Sequence, residues 1–270
     1  RSLKAGEYRF ESPLSVEEVL RKLVEGQVVT HRVTIPEGLT ADETFELLAR
    51  AGLATTEELR ALFAEPGLFP GIPEGAATLE GMLGPDTHLF TRTQGAREIV
   101  ATLVEGFRRS LPERFEERAR ALGRTPLEAV TIASLVEKET AVAPERALVS
   151  AVYHNRLRVG MPLQCDPTVI YALRRKGLWK GDLTREGLAV DDPYNTYANA
   201  GLPPGPIASP GAAALQAAVA PADVPYLYFV AVGDGSGEHR FSVTYEEHLA
   251  NVALFRRARA ARETGSGGPR

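Results

Sequence analysis

Leu127 to Val136 is almost wholly apolar, and the run ends abruptly in Glu137-Lys138-Glu139-Thr140. An ionised carboxylate is costly to desolvate, so a Glu at the inner end of a buried helix must be paired, protonated or chemically useful. A carboxyl kept protonated near neutral pH is what general acid chemistry needs. Helical residues advance about 100° each, so Glu137 and Glu139 point about 200° apart and cannot act as a facing pair. Glu139 shares its face with Ile132, Leu135 and Val136, whereas Glu137 sits behind Val130, Ala133 and Ser134. Both faces are apolar. The wheel leans towards Glu139 as the more desolvated group, with a pKa raised from the ~4.3 of a free Glu. The plain alternative is that both carboxylates are solvated in the last turn of a helix.

Other chemistries find less support. The histidines at 31, 88, 154, 239 and 248 show neither His-Glu-x-x-His nor cysteine-pair spacing, so no metal or other cofactor is expected. Cys165 has no identifiable His partner and reads as a small buried residue rather than a thiol nucleophile. Gly233 to Gly237 is a hairpin turn without the strand-to-helix setting of a phosphate loop. Asp191 to Pro210 is a long Pro/Gly loop, and such loops inside a domain are usually functional or disordered. It carries Tyr194, Asn195, Tyr197 and Asn199, residues suited to ligand contact.

The elements that must position these residues follow from local signals. Thr125-Pro126-Leu127-Glu128 is a capping box with Pro at the first helical position, opening the key helix. A helix from about Pro144 to Arg158 is ended by Gly160, and Asp166-Pro167 caps another. Ser209-Pro210 caps an Ala-rich helix to about Val219. Tyr226 to Val232 and His239 to Val243 form a hairpin, followed by a helix capped at Thr244. Upstream, Gly6 to Glu11 alternates as a strand, Ser15-Val16-Glu17-Glu18 opens a helix closed by Gly26, Gln27 to Ile35 is extended, and Thr40-Ala41-Asp42-Glu43 opens a helix stopped by Gly52. Glu65 to Gly75 is dense in Pro and Gly and reads as a linker. Two amphipathic helices are expected near Gln94 to Arg108 and Pro112 to Leu122.

This is an α+β chain: a small β/α module at residues 1–75, a larger mainly helical domain with a β-hairpin at 76–263, and a disordered tail at 264–270. A chain of 270 residues with 44% hydrophobic content can bury a substantial core. Its net charge of -4, with no basic run, argues against nucleic acid as a partner. No apolar stretch reaches the ~18 residues of a membrane span. The chain starts without Met, so an anchor or signal upstream is allowed for.

Ile132 to Thr140, Asn155-Arg156-Leu157, Met161-Pro162-Leu163-Gln164 and Asp166 to Tyr171 closely resemble the YceG-like endolytic murein transglycosylases. The resemblance continues through Tyr194-Asn195-Thr196-Tyr197, Gly201 to Ile207 and Tyr226 to Val230. Leu3 to Tyr8 and Ile35-Pro36-Glu37-Gly38 fit that family's LysM-like module, with truncation at its start allowed for.

What the resemblance implies is a bacterial lytic transglycosylase, a lyase that cuts inside nascent peptidoglycan strands between N-acetylmuramic acid and N-acetylglucosamine. It would act at the extracytoplasmic face of the cytoplasmic membrane, held by a single-pass anchor upstream of residue 1, with peptidoglycan synthases as candidate partners. The family's catalytic acid is the Glu of Lys-Glu-Thr, here Glu139, in agreement with the wheel. Gln164, Asp166, Tyr194, Asn195 and Tyr197 are assigned to substrate binding, with Asn195 foremost. Asp166 also reads as a helix cap, and both tyrosines as loop packing. Glu137 and Arg156 are assigned supporting roles, Glu137 through hydrogen bonding or a salt bridge with Arg156 or Lys138, with a solvated side chain as the plain alternative. His239, in the Gly-x-His-x-Phe region, is expected to make a structural hydrogen bond. Two departures stand out. Cys165 replaces a small hydroxyl residue, and Met82-Leu83-Gly84 replaces aromatics, which predicts a less aromatic inner cleft. A non-catalytic peptidoglycan-binding scaffold and a hydrolytic muramidase using Asp166, Asp191 or Asp192 are the competing readings.

Overall fold

Capping boxes start much of the helical framework. Ser15, Thr40, Thr55 and Thr125 each accept a hydrogen bond from the third helical N–H, and the Glu at that third position returns its carboxylate to the cap N–H. They open α1 (Val16–Glu25), α2 (Ala41–Arg50), α3 (Thr56–Phe63) and α6 (Pro126–Glu139). Each cap is worth about 1 kcal/mol relative to Ala. The box at Thr55-Thr56-Glu57-Glu58, and α3 with it, adds to the elements expected from the sequence. The computed structural model describes residues 2–265, with side chains as far as 262. The remaining helices are α4 (Ala96–Ser110), α5 (Phe115–Ala121), α7 (Arg146–Arg158), α8 (Asp166–Arg175), α9 (Ala212–Val219) and α10 (Tyr245–Gly265). Residues 264 and 265 of the expected tail belong to α10, and the rest of it lies outside the described residues.

The strands form two antiparallel pairs, so the class is α+β. β1 (His31–Thr34) pairs with β2 (Thr87–Phe90), His31 opposite Phe90 and Thr34 opposite Thr87. β3 (Tyr228–Ala231) pairs with β4 (His239–Ser242) as the expected hairpin. The expected strand at Gly6 to Glu11 does not form. That segment is tied only at points, Glu7 accepting from the Val29 N–H at 2.7 Å. The reason lies in burial: residues 6 to 11 are half-buried or exposed, whereas β1 and β2 place Val33 and Phe90 in a shared core. Pairing β1 with β2 therefore removes more apolar surface from water.

That core gathers Val33, Ile35, Phe45, Leu48, Leu79, Leu83, Phe90 and Leu103, joining residues on both sides of the 65–75 stretch. A second core surrounds α6, whose residues from Ala129 to Val136 are all buried, and includes Phe107, Val149, Tyr153 and Leu215. Each Val, Ile or Leu buried there contributes roughly 1.5–3 kcal/mol. The helix α4 links the two cores, with Val104 in one and Phe107 in the other. Gly84 permits its close approach, because a Cβ there would lie 2.2 Å from the Phe107 nitrogen. Met82 and Leu83 are fully buried in these cores, so replacing aromatics there alters packing rather than a cleft wall. Among the described residues no helix is long and apolar enough to cross a membrane.

Candidate active site

Glu139 is the last residue of α6, where the buried helix emerges. α6 packs against α5, α7, α8 and α9, so the helix that carries the carboxyl is held by the core. Its Oε2 accepts from the Tyr153 hydroxyl at 3.2 Å and from the Cys165 thiol at 3.6 Å. Tyr153 also lies 3.3 Å from the Cys165 sulfur, so its single hydroxyl hydrogen serves one of these two acceptors at a time. Burial pushes the Glu139 pKa above the ordinary carboxylate range; the Tyr153 hydrogen bond opposes this, and the nearby Asp166 charge adds to it. The residue as a whole is half-buried, while its carboxyl is lined by these groups. A proton held on such a carboxyl can be delivered to a leaving group.

Beside it stands an exposed polar group. Gln164 and Asp166 are exposed, and the Tyr197 hydroxyl donates to Asp166 Oδ1 at 2.5 Å. Cys165 rather than Asp166 is the N-cap of α8, so the Asp166 carboxylate is directed to Tyr197 instead of capping. Gln164 has a positive φ of 47°, a region costly for any residue but glycine, and such strain persists where surrounding structure enforces it. The enforcing contacts are visible: Gln164 N–H donates to Thr196 O at 3.1 Å, Cys165 N–H to Thr196 Oγ1 at 3.0 Å, and Thr196 and Thr168 hydroxyls meet at 2.9 Å. The Tyr-Asn-Thr-Tyr loop is thereby zipped to the start of α8.

Other candidate residues have different roles. Asn195, expected to touch sugar, is fully buried, its amide donating to Leu188 O and Val190 O while its oxygen accepts from the Tyr197 N–H. All its polar capacity shapes the loop. Tyr194 packs on Tyr171, ring centroids 4.9 Å apart, under the Arg175 guanidinium. Arg156 does not pair with Glu137. It is buried and donates to Leu227 O at 2.7 Å and Leu163 O at 2.6 Å, clamping α7 to the hairpin and to the segment before Cys165. Glu137 accepts from the Gly211 N–H at 3.0 Å, capping α9 from a neighbouring helix, where Ser209 was expected to cap. Lys138 donates to Gly38 O at 2.8 Å. Of the alternative second carboxylates, Asp192 is buried and receives the Tyr194 N–H, while Asp166 is the one whose charge reaches Glu139.

A groove of 770 Å³ lined by Arg124, His154 and Arg158 lies on the opposite face of α7 from Tyr153 and does not hold this constellation. With α6, α7, the 161–166 segment and the 191–210 loop converging on one carboxyl, comparison with known proteins is decisive for the family. The profile of the YceG-like family matches residues 1–254. The chain belongs to the YceG-like family. It is 31% identical to the endolytic murein transglycosylase of Streptococcus pneumoniae D39 over 93% of this chain and 50% of that protein. It is 32% identical to the endolytic murein transglycosylase of Bacillus subtilis over 91% of this chain and 71% of that one. The chain thus spans half the length of the pneumococcal relatives. A solved YceG-like protein from Listeria monocytogenes superposes with a TM-score of 0.71 at 31% identity, covering 87% of this chain and 80% of that one.

Three features of this YceG-like site escaped the sequence. Tyr153 is buried in a helix and reads as core by periodicity, yet its hydroxyl reaches Glu139. Cys165 is buried beside Glu139 with its thiol pKa pushed well up by burial, so it stays a neutral thiol. Glu145 accepts from both the backbone N–H and ring Nδ1 of His239, at 2.8 and 2.7 Å. The expected hydrogen bond of His239 is present, but its partner is 94 residues away in sequence.

Proposed function

We propose that this chain is an endolytic peptidoglycan lytic transglycosylase. It would cut the β-1,4 bond between N-acetylmuramic acid and N-acetylglucosamine inside nascent strands, leaving 1,6-anhydro ends and terminating elongation. The observation that carries the reading is Glu139, a carboxyl raised in pKa by burial and held by Tyr153 beside the exposed Gln164, Asp166 and Tyr197. The names of the pneumococcal and B. subtilis relatives support the same activity.

In this mechanism Glu139 gives its proton to the glycosidic oxygen as the bond from the anomeric carbon breaks. The resulting carboxylate takes the proton of the muramyl 6-hydroxyl as that oxygen closes on the anomeric carbon, which returns Glu139 to its protonated form. No water is consumed, and the nucleophile is already tethered, which avoids most of the entropy of recruiting it. Gln164, Asp166 and Tyr197 would hold the sugar in a ring shape that permits closure. Asn195 and Tyr194 would fix the loop that carries Tyr197.

Residues 1–75 would serve as a LysM-like module, bound to the rest of the chain by the β1–β2 pair and the shared core. Residues 76–263 would form the catalytic domain. Peptidoglycan synthases are candidate partners, and an anchor upstream would keep the enzyme at the outer face of the membrane. A hydrolytic muramidase is the second reading, favoured by the proximity of the Asp166 charge to Glu139. Mass spectrometry of uncrosslinked glycan strands incubated with wild type and Glu139→Gln tests the proposal. 1,6-Anhydromuramyl ends from the wild type alone are expected. Reducing ends would establish the hydrolase, and no cleavage by wild type would favour a binding scaffold.

A further inference from the structure

A circuit of contacts runs from Glu139 through the Glu145–His239 pair and back, by way of Thr140 on one side and Phe229 and Tyr153 on the other. Glu145 sits in the short 3-10 turn before α7 with 7% exposure, so its carboxylate must be hydrogen-bonded to be tolerated. Oε1 accepts from the His239 backbone N–H at 2.8 Å and Oε2 pairs with His239 Nδ1 at 2.7 Å. A carboxylate accepts only, so Nδ1 of His239 carries a hydrogen in either charge state of the ring. The Thr140 hydroxyl donates to the same Oε2 at 3.4 Å, and Thr140 directly follows Glu139. On the other side, the His239 ring meets Phe229 edge-on at 5.4 Å, Phe229 meets Tyr153 edge-on at 6.2 Å, and Tyr153 donates to Glu139. From the Glu145–His239 pair, one path reaches the acid through Thr140 and the backbone, the other through Phe229 and Tyr153.

We infer that the Glu145–His239 pair is a positioning element for Glu139, clasping the β3–β4 hairpin to the end of α6 so that the acid keeps one orientation and one electrostatic setting. The inference rests on the reading of Glu139 as the acid. The groups facing Glu139 are Tyr153 from α7, Cys165 and Asp166 at the start of α8, Tyr197 from the long loop, and His239 from the hairpin. Among these His239 is the one that can carry positive charge, and it opposes the effect of Asp166. Glu145 ties that charge to a single place. Phe229 and Phe241, both against the His239 ring, keep its surroundings apolar, which strengthens any charge effect across the gap.

The test combines a carboxyl-carbon NMR titration of Glu139 in the whole chain with kcat and KM on glycan strands, for wild type, His239→Gln and Glu145→Gln. Melting curves first establish that the variants are folded. Losing the imidazole should raise the Glu139 midpoint by about half a pH unit or more. It should also lower kcat about tenfold with KM held within about twofold, because the acid and not the sugar contacts is disturbed. Glu145→Gln keeps the side-chain length and one acceptor, and should lower kcat less. If His239→Gln does not fold, Glu145→Gln carries the same kcat-against-KM test. A folded His239→Gln protein with an unmoved midpoint and an unchanged kcat would overturn the inference. A wild type that cleaves nothing overturns the functional reading instead, and the NMR midpoint still decides the role of the pair.

Discussion

Burial pushes several carboxyls towards protonation, and two of them, Glu80 and Glu139, make opposite use of it. Glu80, 4% exposed, has its pKa raised from 4.5 to about 7 by desolvation, against opposing hydrogen bonds led by Tyr171. It accepts from the Ala41 N–H at 2.9 Å and the Tyr171 hydroxyl at 3.0 Å, joining the turn at 79–81 to the first turn of α2 and to α8. Glu139 is raised by the same cause but stands at the emerging end of α6, beside exposed Gln164, Asp166 and Tyr197. Glu80 is closed in by the elements it joins; Glu139 is held from one side only. A raised pKa therefore does not by itself find the acid. What separates the two is whether exposed polar side chains stand beside the carboxyl.

The largest effect expected from this contrast is on Glu139→Gln, which should lower strand cleavage by roughly 10²–10⁴-fold while leaving the fold intact, read by product analysis alongside a melting curve. Glu80→Gln should instead change stability. The sign comes from linkage: with the folded pKa above the unfolded one, the stabilising contribution of Glu80 is complete below about pH 4.5 and is lost as pH rises through about 7. The loss is about 3 kcal/mol, an order-of-magnitude figure, and urea titrations at pH 4, 6 and 8 should show it in wild type but flattened in Glu80→Gln. Equal pH slopes in the two proteins would break the contrast.

Smaller effects sharpen it. Asn195→Ala removes three loop hydrogen bonds and should destabilise by about 1–3 kcal/mol with loss of substrate affinity through Tyr197, measured by melting and KM. If Asn195 touched sugar directly, affinity would fall with stability unchanged. Tyr153→Phe removes a hydrogen bond that lowers the Glu139 pKa, so the midpoint should move up. Because the protonated acid is the active form in this proposal, the basic limb of the kcat/KM profile should shift to higher pH.

What the sequence revealed and concealed tracks the range of the forces involved. Ser15, Thr40 and Thr125 announced their helices because a cap and its box lie within four residues, and the Leu127 to Val136 run announced a buried helix because burial on every side leaves no polar stripe. The hairpin was readable from two apolar runs around a Gly-rich turn. The partner of β1 was not, since Gly6 to Glu11 alternates as well as Thr87 to Phe90 does, and only the distant core formed with Phe45, Leu79 and Leu103 decides between them. The proposed acid, Glu139, was picked out by the wheel and the family motif. Its setting was not: Tyr153 looks like core, Asn195 looks like a ligand, and Glu145 and His239 meet across 94 residues. Polar side chains in loops carry no periodicity, so whether they face sugar or backbone is settled only by packing.

The most direct test of the central claim is cleavage of the same glycan strands by Glu139→Gln and Glu80→Gln, both verified as folded. The account predicts 1,6-anhydromuramyl products from Glu80→Gln at pH 6 and none from Glu139→Gln. Persisting anhydro products from Glu139→Gln, or their loss in a folded Glu80→Gln protein alone, would contradict it.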